Sequence, residues 1–383
     1  MSPQGRPEVL VVAGEASGDR IAALAAKPLI ARGMQLWGVG GSACRAASVA
    51  LLADMSELAA MGLADTARRL PALLTITARL LARAHRAPPR AALLVNFTEL
   101  NQRLARFLRA RGVRVLWCVA PQVWAWRASR LRTLPRSIDR LAVILPFEAK
   151  LWRDAGVDAH YVGHPSLEVP SLPRAALRDR LAFAPNARAV AVLPGSRAGE
   201  IRRLADPLAQ AAARLRAEGL IDEARMILAP SLAPEARALA ETAAHRAGIR
   251  TLVGDPEHGA APLLGAFDLS LCASGTASLE AALAGAAPVV AYRLDTPSYA
   301  LARLLVRTPH VALPNVLLGR RAYPELLQDQ VTVPALTAAG RSLLLKRIEL
   351  PALQNELRAL LRPPSALPFG ERIASLMDPW LDR

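Results

Sequence analysis

The sequence predicts an α/β protein of two Rossmann-like halves, and three turns of one design carry that prediction. In each, a short apolar run breaks into small residues and then opens a helix. The first is Val9-Leu10-Val11-Val12 entering Ala13-Gly14-Glu15-Ala16-Ser17-Gly18-Asp19. The second is Val190-Ala191-Val192-Leu193 entering Pro194-Gly195-Ser196-Arg197-Ala198-Gly199-Glu200. The third is Asp268-Leu269-Ser270-Leu271-Cys272-Ala273 entering Ser274-Gly275-Thr276-Ala277-Ser278-Leu279-Glu280. An apolar run of strand length, then glycine, then helical spacing reads as strand, tight turn and helix start. A chain of 383 residues suits two domains of about 170 to 190 residues each.

Taken in order, apolar runs at 9–13, 36–39, 92–96, 114–119 and 141–145 alternate with helical stretches and predict a mostly parallel first sheet. From Thr66 to Arg90, Leu70, Leu73, Leu74, Thr77, Leu80 and Leu81 recur at helical spacing among Arg68, Arg69, Arg79, Arg83 and Arg86. That helix either packs its apolar stripe on the sheet or rests on an anionic membrane surface, and an incompletely covered stripe allows both. Proline and polar residues gather from Gly163-His164-Pro165 to Pro170-Ser171-Leu172-Pro173 and predict an interdomain linker. Strands follow at 189–193, 225–229, 250–253, 268–272 and 288–292, and the tail from Leu350 is helical except at Arg362-Pro363-Pro364. The expected division is residues 1–165, residues 166–348, and C-terminal helices at 349–383 that pack back on the first domain or on a partner. Two such halves facing a central cleft describe the GT-B architecture, with ligands at the carboxyl ends of the strands.

The formal charge of +16 comes almost entirely from arginine, with lysine only at Lys27, Lys150 and Lys346. Such an excess favours polyanionic partners. Nucleotide sugars and acidic lipid fit better than nucleic acid, because aromatics are 4% and no nucleic-acid-binding module is visible. Cys44, Cys118 and Cys272 are too few and too scattered for a disulfide framework or a zinc site. Met1 to Glu8 is polar, no run reaches the length of a membrane span, and we expect a cytoplasmic protein whose membrane contact is peripheral.

The turns carry the chemistry. At Ser274-Gly275-Thr276, small residues let backbone N–H groups approach a diphosphate, and hydroxyls add donors at the positive end of a helix. This is neither a dinucleotide fingerprint nor a Walker loop. Arg197 lies inside a phosphate-sized turn, where it either binds an anion or pairs locally. The first turn alone reads equally well as an ordinary strand–helix connection. His164 either orients a hydroxyl or phosphate or serves as a plain turn residue. His85, His160, His245, His258 and His310 have no assignable partners, and core packing is the default for Trp124 and Trp126. No Asp-x-Asp metal motif is present.

Beyond these turns the chain resembles the lipid-A-disaccharide synthase family. The resemblance rests on the Ala13–Asp19 turn, Met55-Ser56-Glu57-Leu58-Ala59-Ala60-Met61-Gly62, Val119-Ala120-Pro121-Gln122-Val123-Trp124-Ala125-Trp126-Arg127 and Leu145-Pro146-Phe147-Glu148. It continues through Val162-Gly163-His164-Pro165, the Arg197 and Ser274 turns, Tyr292-Arg293, Leu313-Pro314-Asn315 and Pro324-Glu325-Leu326-Leu327-Gln328. It implies metal-independent, inverting transfer from a UDP-activated 2,3-diacylglucosamine to 2,3-diacylglucosamine 1-phosphate, releasing UDP. The UDP-sugar is substrate, and no cofactor is expected. The resemblance implies a UDP-sugar site that includes Ser196, Arg197, Ser274, Gly275, Thr276 and Glu280, with Arg197 and the Ser274-Gly275-Thr276 turn neutralising the departing diphosphate. It implies that Asn315, Glu325 and Gln328 hold uracil and ribose, and that Ser17, Met61, Trp124, Trp126 and His164 line the acceptor side. An anionic membrane surface is the implied setting at the inner membrane, and a homodimer is compatible with C-terminal helices that pack across a partner.

The acceptor side departs from the pattern. The family usually carries Ile-Asp-x-Pro-Asp-Phe-Asn after the third predicted strand. Here the run is Val95-Asn96-Phe97-Thr98-Glu99-Leu100-Asn101. Inverting transfer needs a general base, and Asn96 cannot take a proton. Either Glu99, Glu15 or Asp19 serves as base, or the chain binds its ligands without efficient turnover. A UDP-sugar 2-epimerase and a peptidoglycan-type glycosyltransferase share the frame, and a membrane-surface nucleotide-sugar-binding protein is the non-enzymatic alternative.

Overall fold

The computed structural model describes residues 7–55, 63–125, 129–295, 299, 308–345 and 349–381, without the side chains of 63–70, 72 and 99. The chain divides into two units. Unit 1 is Met1–Glu168 with Leu361–Arg383, and unit 2 is Val169–Leu360.

Unit 1 is a seven-stranded parallel sheet of β1 (Glu8–Ala13), β2 (Gln35–Gly40), β3 (Ala50–Asp54), β4 (Ala91–Val95), β5 (Arg114–Cys118), β6 (Arg140–Val143) and β7 (Ala159–Tyr161), in the order β3-β2-β1-β4-β5-β6-β7. Its central strands are covered on both faces, which is why they read as continuous apolar runs and not as alternation. Successive residues of β1 point to opposite cores. Leu10 and Val12 join Trp37, Leu94, Trp117 and Trp152 on one face, and Val9 and Val11 join Leu29, Leu93, Leu116 and Phe369 on the other. The sequence reading missed β3 and β7, short strands at the two edges. It also ran β5 one residue too far, because Val119 takes a left-handed φ of 67° that ends the ladder.

The helices of unit 1 begin with α1 (Ala16–Ala31), α2 (Ser42–Ala46), α3 (Leu63–Arg86), α4 (Thr98–Arg109), α5 (Arg130–Thr133) and α6 (Pro146–Asp154). The basic helix α3 packs Ile76, Leu80 and Ala84 into the core, with Leu73 and Leu81 against its margin. Leu74 is turned outward and 55% exposed. Arg83 lies over the Trp37 ring at 4.0 Å. Leu70, Arg68 and Arg69 fall outside the described side chains.

Unit 2 repeats the plan with six parallel strands: β8 (Ala189–Leu193), β9 (Glu223–Leu228), β10 (Arg250–Val253), β11 (Leu269–Ala273), β12 (Ala287–Tyr292) and β13 (Glu325–Leu327), in the order β10-β9-β8-β11-β12-β13. The three-residue β13 is again an unpredicted edge. Its described helices are α7 (Arg174–Arg180), α8 (Ala198–Ala217), α9 (Pro234–Arg246), α10 (Thr276–Ala284), α11 (Leu313–Leu318), α12 (Val333–Leu345) and α13 (Leu350–Leu360).

The tail is not one block. Helix α13 stays with unit 2, where Gln354 and Arg358 donate to the Leu283 carbonyl at 2.6 and 2.7 Å. Helices α14 (Phe369–Ser375) and α15 (Asp378–Leu381) belong to unit 1. A Cβ on Gly370 would stand 2.0 Å from the Leu24 carbonyl oxygen, so α14 crosses α1 where only hydrogen fits. Arg32 fastens the crossing through Glu371 and Asp378, each at 2.9 Å. The first division accordingly falls after Glu168, three residues beyond the expected place.

In each sheet the strand order reverses once, between β1 and β4 in unit 1 and between β8 and β11 in unit 2. Open parallel sheets bind ligands at the carboxyl ends of the strands beside that reversal. All three turns that the sequence singled out leave strands at these two reversals.

Candidate functional site

In unit 1, Ala13 pairs with Val95, so the loops leaving β1 and β4 start side by side. They pack on each other. Phe97 lies over Gly14 so closely that a Cβ there would be 2.3 Å from the Phe97 ring, and Gly18 sits against Val95 and Asn96. Asn96 itself has a φ of 38°, a conformation in which Asn and Asp are enriched among non-glycine residues. Its N–H donates to the Cys118 carbonyl at 3.2 Å. Glu15 is the half-buried N-cap residue of α1, with Ser17 half-buried in the first turn. Glu99 falls in the first turn of α4, its side chain outside the described set, and Met61 and Trp126 lie outside the described residues altogether.

Asp19, named with the candidate bases, is engaged by backbone. It is 2% exposed, and its carboxylate accepts the backbone N–H groups of Gly41, Ala43 and Cys44 at 2.6, 2.9 and 3.2 Å. All three of these donors are backbone groups of one turn. Its work is to fasten the β2–α2 turn to α1.

The segment after β5 begins with strain. A β-branched residue at a left-handed φ, as at Val119, costs on the order of 1–3 kcal/mol and clusters at functional sites. Trp117 braces it, its indole N–H donating to the Val119 carbonyl at 3.1 Å. Five residues on, Trp124 packs edge-on against Phe147 with ring centroids 5.5 Å apart, and its indole N–H donates to Glu148 at 3.0 Å. Glu148 is 2% exposed. Burial pushes its carboxyl up to about 8, only partly opposed by the hydrogen bonds from Trp124 and Leu145. Sequence reasoning quoted Glu148 as part of a motif and missed it as a titratable group, because nothing in its spacing signals burial. His164 is equally buried, its Nδ1 accepting the Ser166 N–H at 3.2 Å. That bond places the neutral ring's proton on Nε2, and burial, with Arg20 nearby, pushes the imidazole down to about 4.

In unit 2, the turn after β8 is closed by Glu200, whose carboxylate accepts the N–H groups of Ser196 and Arg197 at 3.0 and 3.3 Å. Gly195 is required twice over: its φ is +116°, and a Cβ would stand 2.3 Å from Glu200. Ser196 and Arg197 are exposed, and the Arg197 guanidinium is 3.8 Å from the Glu200 carboxylate. The turn after β11 places Gly275 at the N-cap of α10 with φ +150°, and Ser274, Gly275 and Thr276 are half-buried. The first N–H groups of α10 lack partners within the helix. The Ser274 hydroxyl donates to the Val311 carbonyl at 2.8 Å, and Glu280 is 8% exposed.

Three residues expected at the nucleotide make hydrogen bonds within the protein. Asn315 is fully buried; its Oδ1 accepts from Ala322 and Tyr323 at 3.0 and 2.9 Å, and its Nδ2 donates to Tyr323 and Glu325 at 2.8 and 2.7 Å. Glu325 accepts from Val311, Ala312 and Asn315, at 3.2, 3.1 and 2.7 Å. Gln328 clasps Leu294, accepting its N–H at 2.7 Å and donating to its carbonyl at 3.2 Å. These groups hold the loops that end β12 and precede β13, and their polar atoms face protein. Among the described residues, no cluster of three His, Cys, Asp or Glu side chains forms a metal site. Cys44, Cys118 and Cys272 are buried.

A family model described as lipid-A-disaccharide synthetase matches residues 9–361. A lipid-A-disaccharide synthase of Myxococcus xanthus is 43% identical over 331 residues, 85% of each chain. One of Anaeromyxobacter sp. is 39% identical over 386 residues, 98% of this chain and 99% of the relative. Among solved structures, the S. aureus MnaA–UDP co-structure superposes with a TM-score of 0.66 at 12% identity over 98% of this chain and 97% of the other. Acinetobacter baumannii MurG gives 0.57 at 16% over 98% and 100%. These likenesses show a GT-B type fold.

Proposed function

We infer the reaction from one premise: this chain belongs to the lipid-A-disaccharide synthase family. It is a glycosyltransferase. We propose that it transfers 2,3-diacylglucosamine from UDP to a hydroxyl of 2,3-diacylglucosamine 1-phosphate with inversion at the anomeric carbon. A base takes the proton of the acceptor hydroxyl, the oxygen attacks the anomeric carbon, and the bond to the β-phosphate breaks with its electron pair leaving on UDP. The family match carries this reading, and the build of unit 2 supports its donor half. The β8 and β11 turns stand together at the strand reversal, offering the Arg197 guanidinium and the α10 N-terminus to charge that grows on the leaving diphosphate. The reading requires no resident metal. Asn315, Glu325 and Gln328 support the pocket by fixing its backbone.

For the base, Asn96 has no basic lone pair and the Asp19 carboxylate is held by three N–H donors, which leaves Glu99 and Glu15. No described helix is long and apolar enough to cross a membrane. We place the protein at the cytoplasmic face of the inner membrane as a peripheral protein, with the exposed Leu74, Arg79 and Arg86 of α3 towards lipid.

Asn96, where the resemblance implies a carboxylate, favours a second reading, a ligand-binding relative without efficient turnover. UDP release from the diacylated donor and acceptor, by wild type beside Glu99→Gln, Glu15→Gln and Asn96→Asp, separates the two. Wild-type turnover that falls about 10²–10⁴-fold in one glutamine variant assigns the base. An inactive wild type with turnover gained in Asn96→Asp establishes the second reading.

A further inference from the structure

The segments that leave β5 and β6 start side by side, since Cys118 pairs with Ala142 and the Val119 N–H donates to the Ala142 carbonyl at 2.9 Å. Each carries one aromatic ring. Phe147, in the first turn of α6, is 39% exposed, and it meets the half-buried Trp124 edge-on, the two rings inclined at 83°. The other exposed large apolar side chains described in unit 1 are Leu74 within α3 and Leu367 before α14, whereas Phe147 follows the carboxyl end of a strand. A tryptophan near the surface ordinarily keeps its polar tip towards water and its carbon inside. Trp124 does the reverse. Its N–H is turned to Glu148, a side chain 2% exposed, so its one polar atom is engaged by the interior and the pair offers carbon outward. Burial raises the Glu148 carboxyl to about 8, so near neutral pH the group beneath the rings is mostly uncharged.

We propose that Trp124 and Phe147 form the contact surface for an acyl chain of the acceptor, and that Glu148 is the positioning residue that fixes the Trp124 ring. This rests on the reading of unit 1 as the acceptor side of an acyl-sugar transferase. Ligands of open parallel sheets lie at the carboxyl ends of the strands. Apolar and aromatic side chains line most of such a site, and a few polar groups set the orientation of what it holds. The order of strands gives the two parts their places. Asn96 leaves β4, and its N–H reaches the Cys118 carbonyl at the end of β5 at 3.2 Å. β6 is the next strand, so the aromatic pair stands two strand spacings, ~10 Å, from the loop of the candidate bases. A sugar whose hydroxyl meets that loop directs an acyl chain across the end of β5 onto the rings. The surface suits a chain in chemistry as well as in place, since neither ring offers a donor to a phosphate or a hydroxyl there.

Calorimetric titration of two water-soluble acceptor analogues tests this: glucosamine 1-phosphate carrying 2,3-dihexanoyl or 2,3-diacetyl groups. Each methylene taken from water strengthens binding about fourfold, so wild type should prefer the dihexanoyl analogue. Phe147→Ser should weaken that analogue about 10-fold and leave the diacetyl one unchanged, while Phe147→Leu stays within about threefold of wild type. Glu148→Leu, which frees the indole, should lose part of the preference for the longer chain, and Glu148→Gln, which keeps an oxygen for Trp124, should restore it. Equal dihexanoyl affinities in wild type and Phe147→Ser, or a loss shared by both analogues, would overturn the contact. Glu148→Gln and Glu148→Leu behaving alike would overturn the positioning role. Phe147→Ser that keeps both affinities but no longer sediments with phosphatidylglycerol vesicles would give the rings to a bilayer and overturn the acyl-chain assignment. A wild type that binds neither analogue would instead overturn the acceptor reading beneath it.

Discussion

Replacing Glu148 by glutamine should remove a pH dependence of stability that burial imposes on unit 1. The side chain is 2% exposed, with the Trp124 indole N–H donating to Oε1 at 3.0 Å. Burial raises its carboxyl from the ordinary 4.5 to about 8. Below the unfolded value both states hold the proton and the site costs nothing. Between the two values the unfolded chain ionises while the folded one stays protonated, so stability falls as pH rises, by about 1.4 kcal/mol per unit. Above the folded value the loss is complete. From pH 5 to pH 7.5 the wild type should lose roughly 3 kcal/mol through this one group. Glutamine keeps an oxygen for Trp124 and has nothing to ionise. The assay is denaturant unfolding followed by tryptophan fluorescence and circular dichroism across that range, compared between the two proteins so that other titrating groups cancel. The Glu148→Gln protein should gain on the wild type by roughly 3 kcal/mol between pH 5 and pH 7.5. A difference that stays flat with pH would refute the buried, protonated carboxyl.

Other perturbations separate ligand contacts from scaffold. Arg197→Ala should lower kcat/KM for the donor about 10–100-fold with little change in denaturation midpoint, because its guanidinium is 48% exposed and its charge acts on the ligand; unchanged steady-state kinetics would remove it from the site. Asn315→Ala should destabilise unit 2 by about 3–5 kcal/mol in denaturant unfolding, since it orphans the Ala322 and Tyr323 N–H groups and one bond of Glu325. Weakened UDP binding at undiminished stability would show that it contacts nucleotide after all. Gly14→Ala should cost about 1–3 kcal/mol by driving a methyl into Phe97, and much less in a Phe97→Ala background; equal costs in both backgrounds would place the clash elsewhere.

The fold was largely legible because buried parallel strands announce themselves as apolar runs, and the glycines at their ends mark the turns. The missed strands β3, β7 and β13 are sheet edges. β3 reads Ala-Leu-Leu-Ala-Asp with one fully buried position, and β7 and β13 are three residues each, too short for any period to register. The expected C-terminal block divided at Leu360/Leu361, since a helical stretch does not encode which core it joins; that choice rests on contacts such as Gly370 against Leu24. For the site, sequence marked the turns, and the structure adds which named side chains bond within the protein. Asn315, Glu325 and Gln328 stand where ligand contacts were expected, yet their hydrogen bonds run to protein. A motif shows that a residue type is needed at a place. It does not show whether that residue touches the ligand or holds the backbone that does. Glu148 was overlooked for the complementary reason: a buried titratable group is defined by neighbours distant in sequence.

The same distinction bears on Asn96. At a φ of 38° the residue after β4 sits where most side chains are strained and asparagine, aspartate and glycine are tolerated. Phe97 packed on Gly14 and the Asn96 N–H on Cys118 fix that backbone from both sides. A change from aspartate to asparagine therefore preserves the turn while deleting its charge. The consequence is practical. Asn96→Asp should fold as the wild type does, so a gain of turnover reports the carboxylate alone. An unchanged rate, with turnover abolished in Glu99→Gln or Glu15→Gln, would show that proton transfer has moved to another residue of these two loops.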